Sequence, residues 1–494
     1  MQAEAFTELR LQWDEHPGLM KPLADHEFAL GINRLVFHVF AHNPWPDRRP
    51  GMTLSGIGTY FQRDQTWWPD AGAWTGYIAR CSALLQVGQP VADVAYFTGE
   101  ELPSRALLPE RRSPPLPAGY AADSINPDAL LRLATVRDGR LVLPGGANYA
   151  ALVLPADSTP HSPALDAKLR ELEQGGVIVS TSELVSALAS RGVAPDLLTS
   201  AQEIEWTHRS SPGVDIYFVS NQQATARTAE ISLRDNGRQP EIWQPVTGEI
   251  NLTPPYRSAD GRTIVPLHLD PHGSVFVVLR STTPDGLAVG ASLLATATLQ
   301  SREQARSHNL TSPPTIDPAL SSQLSALNFP PSPPQTLDGS WQVTFDPALG
   351  GPKESVTFPA LTDWSADSTP GIRYYSGPAI YTQTFHWSGS PQGGTRTWLD
   401  LGAVANLAHV FVNGVDCGVA WTPPYRVEIT RAVRAGSNDL ELRVTNTWAN
   451  RLSGDRAVKA PAAPVTWTTA PAPGSSSLLP AGLLGPVRVL SDTP

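Results

Sequence analysis

An acidic residue near the start of the chain, Glu4 in AEAFT, precedes two histidines spaced four apart, His38 and His42, and a loop carrying Trp45, Tyr60, Arg63, Trp67 and Trp68. A carboxylate at the end of a strand can take up or hold a proton. Two imidazoles on one side of a strand can donate to hydroxyl groups while the other ring nitrogen is held by a neighbour, and Asn43 begins the loop just beyond them. Indole faces beside a fixed guanidinium suit a ring with one apolar edge and several hydroxyls, which is the chemistry of a sugar. A zinc pair at His38 and His42 lacks a clear third ligand. Each reading has a plainer rival: a solvated Glu4, histidines satisfied in a core, and loop aromatics that only pack on the next helix. Glu15 and Glu27 are weaker carboxylate candidates, because both fall in loop or helix, where a solvated or salt-bridged face is expected.

The bulk properties narrow the field. A chain of 494 residues exceeds the size of one hydrophobic core, so three or four domains are expected. Its formal charge of -10 opposes a polyanion, which argues against nucleic acid and for a neutral ligand. The 14 tryptophans supply either sugar-stacking faces or sandwich cores. Cys81 and Cys417 fall in different expected domains, so no disulfide framework or thiolate metal cluster is indicated. No apolar run reaches the roughly 18 residues of a membrane span. The opening MQAEAFTELRLQWDEHPG lacks the zones of a secretory signal.

The elements that must position these residues are legible as a succession. AEAF reads as a strand end, the segment from Pro22 to Leu30 as a helix, and GINRLVFHVFAH at 31–42 as a buried parallel strand with its histidines at the C-terminal end. That end is where a β/α barrel builds its site. A long loop rich in Gly, Pro and aromatics follows, and loops of such length are often functional. GAWTGYIARCSALLQVGQP is helical and stops at Gly88 and Pro90. VADVAYFTG, YAALVLPAD and GGVIVST, with a helix from about 163 to 173, predict a small open parallel sheet, and the missing glycine-rich fingerprint makes it structural. From 206 to 282 short alternating runs predict a small β-sandwich. The final strands include HVFVNGVDCGVAW, whose Asn-Gly pair signals a hairpin, and together they read as a jelly roll.

The fold class is therefore multidomain α/β plus all-β. The expected boundaries are 1–90 for the last part of a (β/α)8 barrel, 91–205 for a small α/β domain and 206–303 for a small β-sandwich. A Pro/Ser-rich linker at 304–336 and a jelly roll at 337–494 complete the chain.

The segments AEAFT, GINRLVFHVFAHNPW and PGMTLSGIGTYFQRDQTWW resemble the α-L-rhamnosidases of glycoside hydrolase family 106. The stretch WLDLGAVANLAHVFVNGVDCGVAWTPPYRVEIT resembles the galactose-binding-like sandwich found in that family and in β-galactosidase and β-glucuronidase relatives. The first resemblance implies a barrel active site, calcium dependence and hydrolysis of terminal α-L-rhamnosides with inversion. Inversion requires one carboxyl group to assist the leaving group and one carboxylate to activate water. The resemblance makes Glu4 a site residue, as the base or as a calcium ligand, with His38, His42, Asn43, Trp45, Arg63, Trp67 and Trp68 toward the sugar. The partner carboxyl would come from barrel strands that precede this chain, and their absence puts activity of the chain alone in question. Rival readings are a β-galactosidase-like hydrolase, and a noncatalytic carbohydrate-binding or scaffold protein. A polysaccharide-degrading role leads one to expect a periplasmic or secreted location; the missing signal leaves the cytoplasm open.

Overall fold

The chain is described here from a computed structural model that covers residues 1–103, 105–155, 161–179, 184–235, 237–281, 334–389, 396–457, 465–470 and 477–492. Most of the expected 304–336 linker and the last part of the 206–303 segment lie outside the described residues. The chain divides into two units, one made of Met1–Asp25, Arg34–Ala79 and Leu299–Pro494, the other of His26–Asn33 and Arg80–Thr298.

In the first unit, Gln2–Ala5 and Arg34–Phe37 form a two-stranded parallel sheet with Glu4 opposite Val36. In chain order the helix Pro17–Ala29 connects these strands, and the helix Ala71–Leu85 follows the long loop. This strand–helix–strand–loop–helix succession is the kind that ends a (β/α)8 barrel, and no closed barrel is present among the described residues. The expected strand over 31–42 is shorter than its apolar run. Only Arg34–Phe37 is strand, because His38 and Val39 turn to bond a third segment: Val39 N–H donates to Thr59 O, and Phe61 N–H donates to Val39 O. The first helix also starts a turn before the proline that seemed to open it, with Pro22 inside it.

The terminal sandwich belongs to the same unit. Its larger sheet runs Val356–Phe358, Trp341–Phe345, Pro378–Trp387, Gly436–Thr445, Leu407–Val412 and Val415–Ala420, all antiparallel. The smaller sheet contains Gln335–Thr336, Arg488–Asp492, Arg396–Asp400 and Arg426–Glu428. Strict alternation of buried and exposed residues along Trp341–Phe345 sends Trp341, Val343 and Phe345 inward. Val412 and Val415 pair across the Asn413–Gly414 turn, where both residues have positive φ, 52° and 75°. That is the two-residue turn the Asn-Gly pair predicted.

The second unit holds two layers of architecture. Ile178–Val179, Ala151–Val153, Val94–Phe97 and Ala122–Ile125 form a parallel sheet. Both faces of this sheet are covered, since Ala95 and Phe97 pack in one apolar cluster with Leu165 and Leu172, while Val94 and Tyr96 pack in another with Leu184 and Leu188. The helix Pro163–Gln174 opens on Ser162, whose hydroxyl accepts from Leu165 N–H. The strand Ala122–Ile125 has too little apolar pattern to be seen in sequence. A β-sandwich completes the unit, with Ile204–Ser211, Val214–Asn221 and Ser274–Arg280 in one sheet and Arg227–Leu233 and Arg262–Leu269 in the other. It also draws on Leu197–Thr199 and Gln89–Pro90, which lie upstream of the strand-rich stretch at 206–282.

Candidate functional site

Glu4 is exposed at the end of the first parallel strand, and its carboxylate accepts a 2.6 Å hydrogen bond from the Thr7 hydroxyl. One residue on, Ala5 C=O accepts from His38 N–H at 2.9 Å. The carboxylate therefore stands at the C-terminal end of a parallel pair whose neighbouring strand leads straight into His38. Phe6, with φ 63°, turns its ring into a cluster with Phe37, Phe61 and Trp74, which anchors the strand end from below.

His38 is half-buried, and its Nδ1 is a buried atom without a hydrogen-bond partner. Gly58 lies close enough that an added Cβ would sit 2.9 Å from that nitrogen, so the glycine keeps the imidazole in place by leaving room for it. His42 is exposed and lies in irregular chain. The two histidines thus do not share one strand face, contrary to the expectation, because the strand stops at Phe37.

Asn43 is buried and organises the loop. Its side-chain amide nitrogen is placed toward Trp45 O, Arg48 O and Asp64 Oδ2, while its backbone carbonyl accepts from the Arg63 guanidinium at 2.7 Å. Arg63 is otherwise exposed. Trp45 is half-buried and meets Trp467 edge-on, with the Arg48 guanidinium 4.6 Å from the Trp45 ring. Trp68 is half-buried and leans on Trp67. Trp67 itself is a correction: it is 1% exposed and its indole N–H donates to Glu15 O, so it offers no face to a sugar ring.

Nine of the fourteen tryptophans are buried, and the half-buried remainder are Trp45, Trp68, Trp206, Trp398 and Trp467. Most of the excess therefore builds cores. Trp448 even ties the loop to the sandwich, its indole N–H donating to Asp64 O at 2.8 Å.

Glu15 overturns the expectation of a solvated or salt-bridged face. It is 6% exposed, has no ion pair among the described residues, and burial pushes its carboxyl up to about 7, with Asp14 and Glu8 adding to the rise. One of its oxygens has no hydrogen-bond partner. Next to it, burial pulls His16 down to about 4. Glu27 stays half-buried on its helix. The aromatic and proline neighbours of Glu15, in WDEHP, were the one sequence signal of an enclosed turn.

The sequence reading also missed a link from the loop to the sandwich. His409 sits between two carboxylates, Nδ1 at 2.8 Å from Asp70 and Nε2 at 2.9 Å from Asp416. Asp70 lies two residues after the Trp67–Trp68 pair, at the end of the 3-10 turn Trp68–Asp70. Burial lowers the histidine's pKa, but the two carboxylates outweigh it and hold the ring above its ordinary 6.5.

Among the described residues no group of three or more His, Cys, Asp or Glu side chains is arranged to hold a metal ion. Glu4 offers one carboxylate, whereas Ca²⁺ takes about six to eight oxygens, so the residues gathered here do not make a calcium site by themselves. No chemical step is assigned to a metal.

Two family models match the chain. The alpha-L-rhamnosidase model of glycoside hydrolase family 106 covers residues 1–186 and 174–257, and the glycosyl hydrolase 2 galactose-binding domain-like model covers 373–474. A solved rhamnosidase from Novosphingobium sp. PP1Y is 34% identical, with a TM-score of 0.81 over 99% of this chain and 47% of its own. A putative beta-glucuronidase from Formosa agariphila is 26% identical over 99% of this chain and 62% of its own length. The chain thus spans about half to three-fifths of these relatives. With more than half of its residues under the first model, the chain belongs to the α-L-rhamnosidases of glycoside hydrolase family 106.

Proposed function

We propose that this chain supplies one side of a centre that hydrolyses terminal α-L-rhamnosides with inversion, and that Glu4 is one of its two carboxyl groups. The observation that carries the reading is the placement of Glu4 at the C-terminal end of a parallel strand, fixed by Thr7 and flanked by the strand that delivers His38. In an inverting reaction the two carboxyl groups stand about 6.5–9.5 Å apart, with water between one of them and the sugar. Glu4, exposed and free to face such a water, takes the base's role. The acid is assigned to the part of the solved relative's length that this chain does not cover. In this reading the half-buried His38 lines the sugar beside Glu4, and Arg63, Trp45 and Trp68 supply an outer wall with His42.

A second reading rests on the exposed apolar residues of the same strand region. Val36 is 45% and Phe40 70% exposed beside a sheet of only two strands, which is a surface shaped to receive more strands. A noncatalytic carbohydrate-binding scaffold would show the same surface in this chain alone.

One assay separates these readings. The chain, joined in frame to the region of the solved relative that it does not cover, is incubated with nitrophenyl α-L-rhamnoside, β-D-galactoside and β-D-glucuronide, with and without chelator. Rhamnoside turnover that falls about 10²- to 10⁴-fold in Glu4→Gln, with the circular dichroism spectrum unchanged, supports the base. Turnover of another glycoside alone overturns the substrate, and sugar binding without turnover favours the scaffold. Chelator-sensitive turnover would move Glu4 from base toward cation ligand.

A further inference from the structure

We propose that the outer face of the larger sheet in the terminal sandwich binds a neutral oligosaccharide. A groove of about 820 Å³ runs across this face. It is lined by Gln342, Thr382, Thr384, Phe411, Glu441 and Arg443. None of the residues considered above as candidates for the hydrolytic centre lines it.

The strand register places one of these side chains on each of four adjacent strands. Gln342 is opposite Thr382, Thr382 is opposite Glu441, and Glu441 is opposite Phe411. At about 4.8 Å between strands this row is about 14 Å long, the reach of a short oligosaccharide rather than a single sugar. The alternate residues Val343, Tyr381, Leu442 and Val410 are each 0% exposed, so the sheet is held from beneath by the sandwich core. A rigid backbone thus presents a fixed row of hydroxyl, amide, carboxylate and aromatic groups.

The polar groups are held in place as well. The Gln342 amide and the Thr357 hydroxyl bond to each other at 2.9 Å. Arg443 lies 4.4 Å from the Phe411 ring centroid and donates from Nε to Glu441 at 2.8 Å. Its guanidinium is thus held over the aromatic ring at the edge of the groove it lines. A planar donor pair beside an aromatic ring, with hydroxyls and an amide along the same row, matches vicinal sugar hydroxyls on a ring with apolar C–H faces. The charges choose the sugar class. Asp439 and Glu441 outnumber Arg443 in the lining, so a uronate chain would meet net repulsion.

The experiment titrates the full chain with neutral hexasaccharides of L-rhamnose, glucose, galactose and mannose, and with oligogalacturonate as the anionic counterpart, reading binding by calorimetry. Hydrolysis is not needed for the readout, so its failure and failure of the proposed activity are distinguishable. The expected result is millimolar or tighter binding of at least one neutral hexasaccharide, weakened about tenfold by Arg443→Ala and by Gln342→Ala, with unchanged thermal melts. Thr357→Ala, which only releases the Gln342 amide, should weaken it less. The proposal is overturned by no neutral binding at millimolar concentration, by oligogalacturonate binding as tightly as the best neutral sugar, or by full affinity in both groove variants when folded.

Discussion

His208 and His409 sit in different units yet share a construction. Each lies on a strand, each is bonded through Nε2 to an aspartate seven residues later across a hairpin, and each is bonded through Nδ1 to a second aspartate. In both hairpins the later aspartate pairs with the residue two beyond the histidine, Ser210 with Asp215 and Phe411 with Asp416, which sets the imidazole and carboxylate on one diagonal. The difference lies in what closes the other side. At His208 it is Asp196, 12 residues upstream, also bonded by the Tyr217 hydroxyl, with Arg238 on Asp215. That network is enclosed, and His208 stacks on Tyr217 at 3.9 Å. At His409 it is Asp70, 339 residues away in sequence, on the loop that carries the candidate sugar wall. One motif therefore locks a core, and the other fastens a loop.

The largest expected effect breaks the enclosed network. Asp196→Ala leaves His208, Tyr217 and Arg234 without a shared partner and should cost about 3–5 kcal/mol in urea unfolding, against a much smaller loss for Asp416→Ala.

Glu15 sharpens the comparison from the opposite side, as a buried ionisable group with no ion pair among the described residues. Its folded pKa of about 7 lies above its ordinary 4.5, so the folded state holds the extra proton and stability falls as pH rises from 4.5 to 7. Glu15→Gln should remove about 3 kcal/mol of that fall, read as a flatter plot of unfolding free energy against pH. An unchanged plot would mean that Glu15 is solvated.

The histidines should give a slope of the same sign for the opposite reason, because their charged form is the one the fold favours. Both are held above 6.5, where burial lowers and the carboxylates raise, so their contribution is complete below 6.5 and is lost as pH rises through the folded pKa. His208→Gln should reduce that loss on raising the pH, and His409→Gln should reduce it by less, because Asp416 is 37% exposed and screened.

The smallest effect is the most local. Asp70→Asn should cost under about 1 kcal/mol of global stability, yet raise protease cutting within 43–70. Equal protection in both proteins would show that the loop does not depend on His409.

Much of this architecture was legible because it rests on local pattern. The period of two along Trp341–Phe345, the Asn-Gly turn and the continuous apolar strands around Val94 and Ala151 each carry their own signal. The site was legible only in part. Glu4 lies on one strand of the parallel pair and His38 directly follows the other, but Trp67 looked identical to Trp45 in sequence, and only the fold shows one entombed and the other half-open. Glu15 was misread because burial depends on residues such as Trp67 that lie far along the chain.

By itself the sequence determined the order of elements, the faces of the strands and the family, since hydrophobic period and turn chemistry act over a few neighbouring residues. Tertiary structure alone decided which carboxylate meets water, which histidine is clasped by two aspartates and which tryptophan is left open. Those outcomes depend on contacts such as His409 with Asp70 and Trp448 with Asp64, whose partners are hundreds of residues apart and leave no trace in local pattern.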